Sequence, residues 1–152
     1  MKEEQHKPIP QGPIFTEIVL EIFKLSGVLN AEGDRLTEEY GLSSARWKIL
    51  GAIERSETAC TVPQIARMMG QSRQAVQRLV DLMHRDGLLS LLDNPKHKRA
   101  KLVALTTTGL DIYKKLDVKQ APWASRCSNH LSTTELEATL SVLRGITHKL
   151  EV

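Results

Sequence analysis

Apolar residues recur every three or four positions over the first third of the chain. This spacing predicts a long amphipathic helix from about Ile14 to Tyr40. Gly41 is predicted to cap its C-terminus, because glycine adopts a left-handed backbone without steric cost. Residues 1–12 are predicted to form a polar arm ahead of this helix. The apolar positions of the helix are Ile14, Ile18, Ile22, Leu25, Leu29 and Leu36.

A second helix is predicted to open directly after this glycine. Ser43 is placed to cap its N-terminus, and Leu42 precedes the cap, where it can pack on Trp47 as a hydrophobic staple. The spacing of Trp47, Leu50 and Ile53 puts these three residues on the buried side of the helix.

Two more helices follow at short range, separated by a glycine turn. Thr61 and Gln64 have the spacing of a capping box at the start of a short third helix, and Gly70 ends it. Ser72 is placed to cap a fourth helix, which runs to about Asp86. A short helix, a glycine turn and a second capped helix form the helix-turn-helix pattern.

Two apolar, strand-compatible runs come next, at residues 88–92 and 100–105. They flank a basic loop at residues 93–99 that is rich in turn-forming residues, which predicts a β-hairpin. A hairpin after a helix-turn-helix is a wing. The predicted fold is therefore mostly α with a small β-hairpin (α+β), with a winged helix-turn-helix domain over residues 42–105.

The last third of the chain predicts two further helices. Residues 106–108 offer caps for the first, and Pro122 is expected to kink or break it around residues 120–121. Ser132 and Glu135 form a capping box for the second. Its apolar face contains Leu136, Leu140, Leu143, Ile146 and Leu150.

The terminal helices carry more apolar surface than a small winged domain can cover. The terminal helices could pack on one another within the monomer or against a second copy of the chain. The second arrangement is favoured, so residues 13–41 and 106–152 are predicted to form a helical dimerisation region. A two-fold dimer would present two reading helices to successive turns of DNA.

Positive charge is concentrated in the middle of the chain. The net charge is only +3, yet the segment from Arg67 to Lys101 holds eight lysines and arginines against three aspartates. The rest of the chain is consequently net negative. A basic segment that coincides with a helix-turn-helix indicates a polyanion-binding surface.

The outward positions at the front of the fourth helix have the chemistry of a reading helix. Arginine can donate two hydrogen bonds to guanine, and glutamine can pair in the same way with adenine. The first acid, Asp81, lies past this half of the helix. The predicted DNA-binding residues here are Gln71, Ser72, Arg73, Gln74, Gln77 and Arg78.

The hairpin loop adds cations to this surface. An arginine at its tip suits a narrow minor groove, and the lysines suit phosphates. The predicted DNA-binding residues of the loop are Lys96, His97, Lys98, Arg99 and Lys101.

The sequence argues against several other classes of protein. It contains no nucleophile–base set, no metal-ligand spacing and no phosphate-binding glycine loop, so we expect neither an enzyme nor a metal or cofactor. It has no apolar targeting segment or membrane span, which predicts a cytoplasmic location. Cys60 and Cys127 are expected to be free thiols. Two alternatives stay open: a redox-sensing DNA-binding regulator that uses these cysteines, and a winged module that binds only proteins.

Three segments together resemble the MarR family of transcriptional regulators. They are LSSARWKILGAI (42–53), TVPQIARMMGQSRQAVQRLVDLMHRDGLL (61–89) and DNPKHKRAKLVALTTTGL (93–110). The resemblance implies a homodimer that binds a palindromic operator, often as a repressor, and that responds to a small phenolic or other aromatic ligand. The residues to test for such a pocket are Phe15, Arg46, Trp47 and Tyr113, although Phe15 and Trp47 are more simply read as core.

The wing departs from the pattern that this resemblance implies. Members of the family often carry an Asp-x-Arg triplet whose aspartate orients the arginine. The corresponding residues here are His97, Lys98 and Arg99, so Arg99 lacks its usual anionic partner at that position. Whether Asp93 or another acid holds Arg99 stays open.

Overall fold

The computed structural model describes residues 8–151 and confirms a mostly helical chain with one antiparallel hairpin. Residues 1–7, and with them most of the predicted polar arm, lie outside the described part. The elements, in chain order, are α1 (Gln11–Thr37), a 3-10 turn (Glu38–Tyr40), α2 (Ser44–Glu54), α3 (Val62–Met69), α4 (Arg73–Arg85), β1 (Leu89–Leu92), β2 (Leu102–Leu105), α5 (Thr107–Ser128) and α6 (Thr133–Leu150).

The ends of the helices follow the predicted caps closely. The Ser43 hydroxyl accepts from the Arg46 amide at 3.3 Å at the start of α2. At the start of α6, the Ser132 hydroxyl accepts from the Glu135 amide at 3.1 Å, and the Glu135 carboxylate accepts from the Ser132 amide at 2.8 Å. Gly41 has a φ of 65°, as its predicted role as a cap requires.

The helix-turn-helix and the hairpin enclose a common core. Trp47, predicted on the buried side of α2, is only half-buried, whereas Ile49 is fully buried. Trp47 is thus only partly covered, while Ile49, outside the predicted stripe, is enclosed because α2 packs against α1, α3, α4 and β2. The buried residues of this core are Ile49, Leu50, Cys60, Ile65, Ala66, Val76, Val80, Met83, Leu88, Leu89 and Val103.

The hairpin is joined to the connection between α2 and α3. Its two strands pair with Leu89 opposite Leu105 and Leu92 opposite Leu102. The Val103 amide also donates to the Cys60 carbonyl at 2.7 Å, which adds a single bridge on the far side of β2. A third chain segment therefore supports the wing.

Helix α1 meets the start of α2 at a tight polar contact. A Cβ on Gly33 would lie 2.5 Å from the Ser44 hydroxyl, so only glycine allows this approach. The Asp34 carboxylate accepts from the Ser44 amide at 2.7 Å, and Asn30 lies 3.4 Å from the Ser44 hydroxyl. An acid on one helix thus caps the N-terminus of the next, where the helix dipole favours negative charge.

The chain divides into two compact units, the first ending at Lys114 and the second beginning at Lys115. In the second unit, α5 continues through Pro122 to Ser128, so of the predicted kink or break around residues 120–121 the break does not occur. A proline removes only one backbone hydrogen bond, and the turns on both sides keep the others. None of the described helices is long and apolar enough to span a membrane.

Candidate nucleic-acid interface

Helix α4 has two sharply different faces. Val76, Val80 and Met83 are completely buried in the core, and this fixes which side of the helix points outward. The hydroxyl of Ser72 accepts from the Ala75 amide at 3.2 Å and caps the N-terminus, as predicted. The first turn of α4 contains no acid. Its N-terminus is consequently attractive to a phosphate.

All the residues predicted to read DNA on this helix are exposed. Most of them line an open groove of about 530 Å³ whose apolar side comes from Val62 and Pro63 at the start of α3. The other lining residues are Arg73, Gln74, Gln77, Arg78 and Asp81. Two arginines and two glutamines therefore line one groove together with Val62 and Pro63.

One acid, Asp81, was not among the predicted site residues but lies on this surface. The Gln77 side-chain amide donates from Nε2 to Asp81 Oδ1 at 2.8 Å. The two residues are four apart, the spacing at which side chains meet on a helix, so the contact was available from the sequence.

The wing loop presents its cations to solvent. The Asn94 side chain accepts from the Lys96 amide at 3.0 Å, and the Asn94 carbonyl accepts from the His97 amide at 3.1 Å, which together fold the turn. The predicted DNA-binding residues of the loop are all exposed: Lys96, His97, Lys98, Arg99 and Lys101.

The acid of the wing pairs with Lys101. The Lys101 ammonium donates to Asp93 Oδ1 at 2.5 Å. This hydrogen bond and the attraction between the two charges hold the pKa of Asp93 below its ordinary value. Among residues 8–151, no ion pair involves Arg99. The guanidinium of Arg99 is thus not tied to the acid that the sequence offered as its anchor.

Hydrogen bonds also lock the root of the wing. The Thr106 hydroxyl donates to the Gly87 carbonyl at 2.6 Å and accepts from the Gly109 amide at 3.1 Å. Gly109 is buried, and a Cβ at this position would overlap the Leu88 carbonyl oxygen. On the α4 side, His84 Nδ1 lies 2.9 Å from the Leu89 carbonyl oxygen. The start and the end of the hairpin are therefore held together.

The four residues predicted for a ligand pocket do not all meet within one chain. Arg46 Nη1 lies 3.3 Å from Asp86 Oδ2, and Tyr113 packs on α2 beside Gly51. Trp47 is half-buried. Phe15 is 43% exposed, so its expected place in the core is wrong for the single chain.

Phe15 also lies far along α1 from the other three residues. Asn30, fifteen positions later, is one of the α1 residues that contact α2, through Ser44 and Lys48. At 1.5 Å per residue, Phe15 is roughly 22 Å further along the helix.

The cysteines have different surroundings. Cys60 is buried, and its thiol lies 3.0 Å from the Ser56 hydroxyl, whereas Cys127 is exposed. Within the described part of the chain, no group of three or more His, Cys, Asp or Glu side chains is arranged to hold a metal ion.

Comparison with known proteins identifies relatives of this chain. A family model described as MarR family matches residues 40–100. The chain is 32% identical over 127 residues to an uncharacterised protein of Mycobacterium tuberculosis, covering 84% of this chain and 87% of that protein. It is 32% identical over 104 residues to the multiple antibiotic resistance protein MarR of Escherichia coli, covering 65% of this chain and 70% of that protein.

Solved structures share the fold. A MarR/EmrR family transcriptional regulator from Acinetobacter has a TM-score of 0.81 at 18% identity, covering 91% of this chain and 97% of that one. MepR of S. aureus, solved as a DNA complex, has a TM-score of 0.74 at 18% identity, covering 86% and 96%. CouR of Rhodococcus jostii, bound to p-coumaroyl-CoA, has a TM-score of 0.76 at 19% identity, covering 85% and 90%. The matched family consists of transcriptional regulators rather than enzymes.

Proposed function

This chain belongs to the MarR family of transcriptional regulators, and from that premise we propose that it is a homodimeric repressor that binds a palindromic operator and is released by a small aromatic ligand. The observation that carries the DNA-binding part is the exposed front of α4, where arginines and glutamines line one groove and no acid occupies the first turn.

In this proposal, α4 enters the major groove. A reading helix uses its N-terminal half, and that half carries Arg73, Gln74, Gln77 and Arg78 on its exposed side. Arginine suits guanine O6 and N7, and glutamine suits adenine N6 and N7. The capped helix N-terminus and Ser72 would face the phosphates beside the groove. MepR, which has the same fold, was solved in complex with DNA.

The wing supplies affinity with less sequence preference. Arg99, which has no ion pair among the described residues, would enter the adjacent minor groove, whose negative potential attracts arginine. Lys96 and Lys98 would contact phosphates. Five or six such contacts would make the logarithm of the binding constant fall with a slope of about −5 against the logarithm of salt concentration.

The dimer would form through the terminal helices. These helices leave many large apolar side chains exposed in the single chain. Single exposed apolar residues are normal on a protein surface, but a set of this size indicates an interaction site. On α1 they are Ile14, Phe15, Ile18, Leu20, Ile22, Phe23, Leu25, Val28 and Leu29, and on α6 they are Leu136, Leu140, Val142, Leu143 and Leu150. A second copy of the chain would bury both sets.

The proposed effector site lies beside α2, at Arg46, Trp47 and Tyr113. Arginine and aromatic side chains suit an aromatic anion. Phe15 would contribute to this pocket only from the α1 helix of the second copy, because it lies too far along its own helix. CouR, which shares the fold, was solved with p-coumaroyl-CoA.

The DNA-binding proposal is tested by selecting bound sequences from a random double-stranded library and measuring affinities for the selected site. Arg73→Ala should cost about 1–3 kcal/mol and relax the preference at one base position. Lys98→Ala should weaken all sequences equally. Lys149→Ala, which removes a charge from the end of α6, is the control and should change neither quantity.

Two results would contradict the proposal. If the wild-type chain selects no sequence, or if Arg73→Ala and Arg99→Ala both leave binding unchanged, the winged domain does not read DNA and the protein-interaction alternative gains support. If peroxide abolishes operator binding by the wild-type chain but not by Cys127→Ser, the redox alternative would instead be favoured.

A further inference from the structure

Asp81 is out of place on a surface that binds a polyanion. It lines the same groove as Arg73 and Arg78 and is exposed. A carboxylate at this position repels phosphates and so lowers affinity for every sequence. Its interaction with Gln77 across one helical turn adds little to the stability of the helix. Neither DNA affinity nor helix stability therefore accounts for an acid at this position, which leaves a role in base recognition.

The contact of Asp81 with Gln77 fixes the direction of a side-chain amide. An ionised carboxylate has acceptors only, so it can face the NH₂ group of a glutamine but not its carbonyl oxygen. The Gln77 Nε2 atom indeed lies 2.8 Å from Asp81 Oδ1. Rotation of the amide by half a turn would place oxygen against oxygen and is unfavourable.

The amide keeps its reading edge free in this arrangement. One N–H of the NH₂ group points away from the carbonyl oxygen. The carboxylate can accept a hydrogen bond from this N–H without blocking the edge of the amide that carries the oxygen. The second N–H lies beside the oxygen. This second N–H and the carbonyl oxygen together form the donor–acceptor edge that pairs with adenine N7 and N6 in the major groove.

We propose that Asp81 orients the amide of Gln77 and thereby makes Gln77 a directional reader of adenine. With the nitrogen side fixed, the donor and the acceptor of the amide have fixed positions in the groove. Adenine in one strand matches them, whereas the reversed base pair presents thymine O4 and a methyl group. Asp81 is a positioning residue in this scheme, and the proposal rests on the proposed function, because it requires α4 to lie in the major groove.

The test is a double-mutant cycle read out by sequence selection. The wild-type chain, Gln77→Ala, Asp81→Asn and the double variant each select from the same random double-stranded DNA library at one salt concentration. Gln77→Ala identifies the base position that Gln77 reads. Asp81→Asn keeps the size and a hydrogen-bonding partner, but an asparagine amide can face either end of Gln77, so the direction is no longer fixed.

The proposal expects a specific loss at one position. Asp81→Asn should reduce the preference for adenine over thymine at the Gln77 position by about two- to fivefold, the effect expected of one exposed charge-assisted contact. The affinity for unrelated DNA should rise, because a negative charge is removed. In the Gln77→Ala background, Asp81→Asn should leave the base preferences unchanged.

Three outcomes would overturn the proposal, and they separate it from the proposed function. If Asp81→Asn raises affinity for all sequences equally and keeps the adenine preference, Asp81 acts through its charge alone. If Gln77→Ala changes no position, Gln77 does not read a base, although α4 can still bind DNA through its arginines. If the wild-type chain selects no sequence, the proposed function itself fails.

Discussion

The side chains of Lys101 and Asp93 meet at 2.5 Å between Nζ and Oδ1, across the base of the wing loop. This pair takes up the acid that the sequence offered as an anchor for Arg99. Both partners are exposed, so the pair contributes little to stability. Its main effect is on charge, because the acid offsets one of the cations that the wing would present to DNA.

Replacement of Asp93 by asparagine should therefore strengthen non-specific DNA binding. The change removes a negative charge from the wing and frees Lys101 for a phosphate. We expect tighter binding to unrelated DNA and a salt slope steeper by about one. The measurement is a salt titration of the affinity for a duplex of random sequence.

The control for this variant is Arg99→Ala. It should make the slope shallower and should weaken binding to the selected operator more than to random DNA. An unchanged salt slope in Asp93→Asn would show that Lys101 already contacts DNA while it is paired.

Gly109→Ala should destabilise the first unit and the wing. The new Cβ would overlap the Leu88 carbonyl oxygen, and this backbone atom cannot move without disturbing the root of the hairpin. We expect a loss of about 1–3 kcal/mol in the free energy of unfolding, measured by urea denaturation.

Gly145→Ala is a matched control for this change, since it also lies inside a helix. Apart from the neighbouring residues and the backbone of α6 itself, no atom of the described residues lies within 4 Å of the place that the new methyl group would take. By helical periodicity that place faces away from Leu140 and Leu143. We expect the substitution to stabilise the chain by about 0.5–1 kcal/mol. Equal effects of the two substitutions would show that the close approach at Leu88 is relieved at no cost.

Asp34→Ala should loosen the contact between α1 and α2. The substitution leaves the Ser44 amide, in the first turn of α2, without its carboxylate partner at 2.7 Å. The expected loss is about 1 kcal/mol in the free energy of unfolding, as for other helix N-caps. Glu17→Ala, an exposed acid on the same helix, is the control. A loss no larger than that of Glu17→Ala would mean that Ser43 caps α2 sufficiently alone.

The capping box of α6 gives the stability of the chain an acid-sensitive component. Hydrogen bonds from the Ser132 amide and hydroxyl, and to a lesser degree the charge of His130, hold the pKa of Glu135 below its ordinary value. A lowered pKa means that the stabilisation is present above the unfolded pKa of about 4.3 and is lost as the pH falls through the folded value.

Glu135→Gln isolates this component, because glutamine keeps an acceptor for the Ser132 amide but does not titrate. The melting temperature of the wild type should fall more steeply than that of the variant below a pH of about 4.3. Parallel melting curves across this range would contradict a contribution from Glu135.

The caps were predictable because they depend on residues three or four apart. Ser43, Ser72 and the pair Ser132–Glu135 have the roles that their local sequence indicated. The order of helices and strands followed from the same short-range signals together with apolar periodicity. The exposed positions on α4 followed as well, since its buried positions set its orientation.

The remaining features depend on contacts between residues distant in sequence. Residue 109 must be glycine because the Leu88 carbonyl oxygen lies too close for a Cβ. The role of Asp34 becomes visible only in its hydrogen bond from the Ser44 amide. Local rules also left open whether Pro122 kinks or breaks α5, because they do not weigh one missing hydrogen bond against a long helix. In the proposed homodimer, the surroundings of Phe15 would come from a second copy of the chain, and rules based on local sequence do not describe such a contact.

The separation of the two faces of α4 has a consequence for how such regulators diversify. The residues that hold the helix in the core, Val76, Val80 and Met83, are distinct from those that would meet bases, such as Arg73 and Gln77. Substitutions on the outer face therefore carry little cost in stability. After gene duplication, one copy can acquire a new target site in a few steps while its scaffold stays intact.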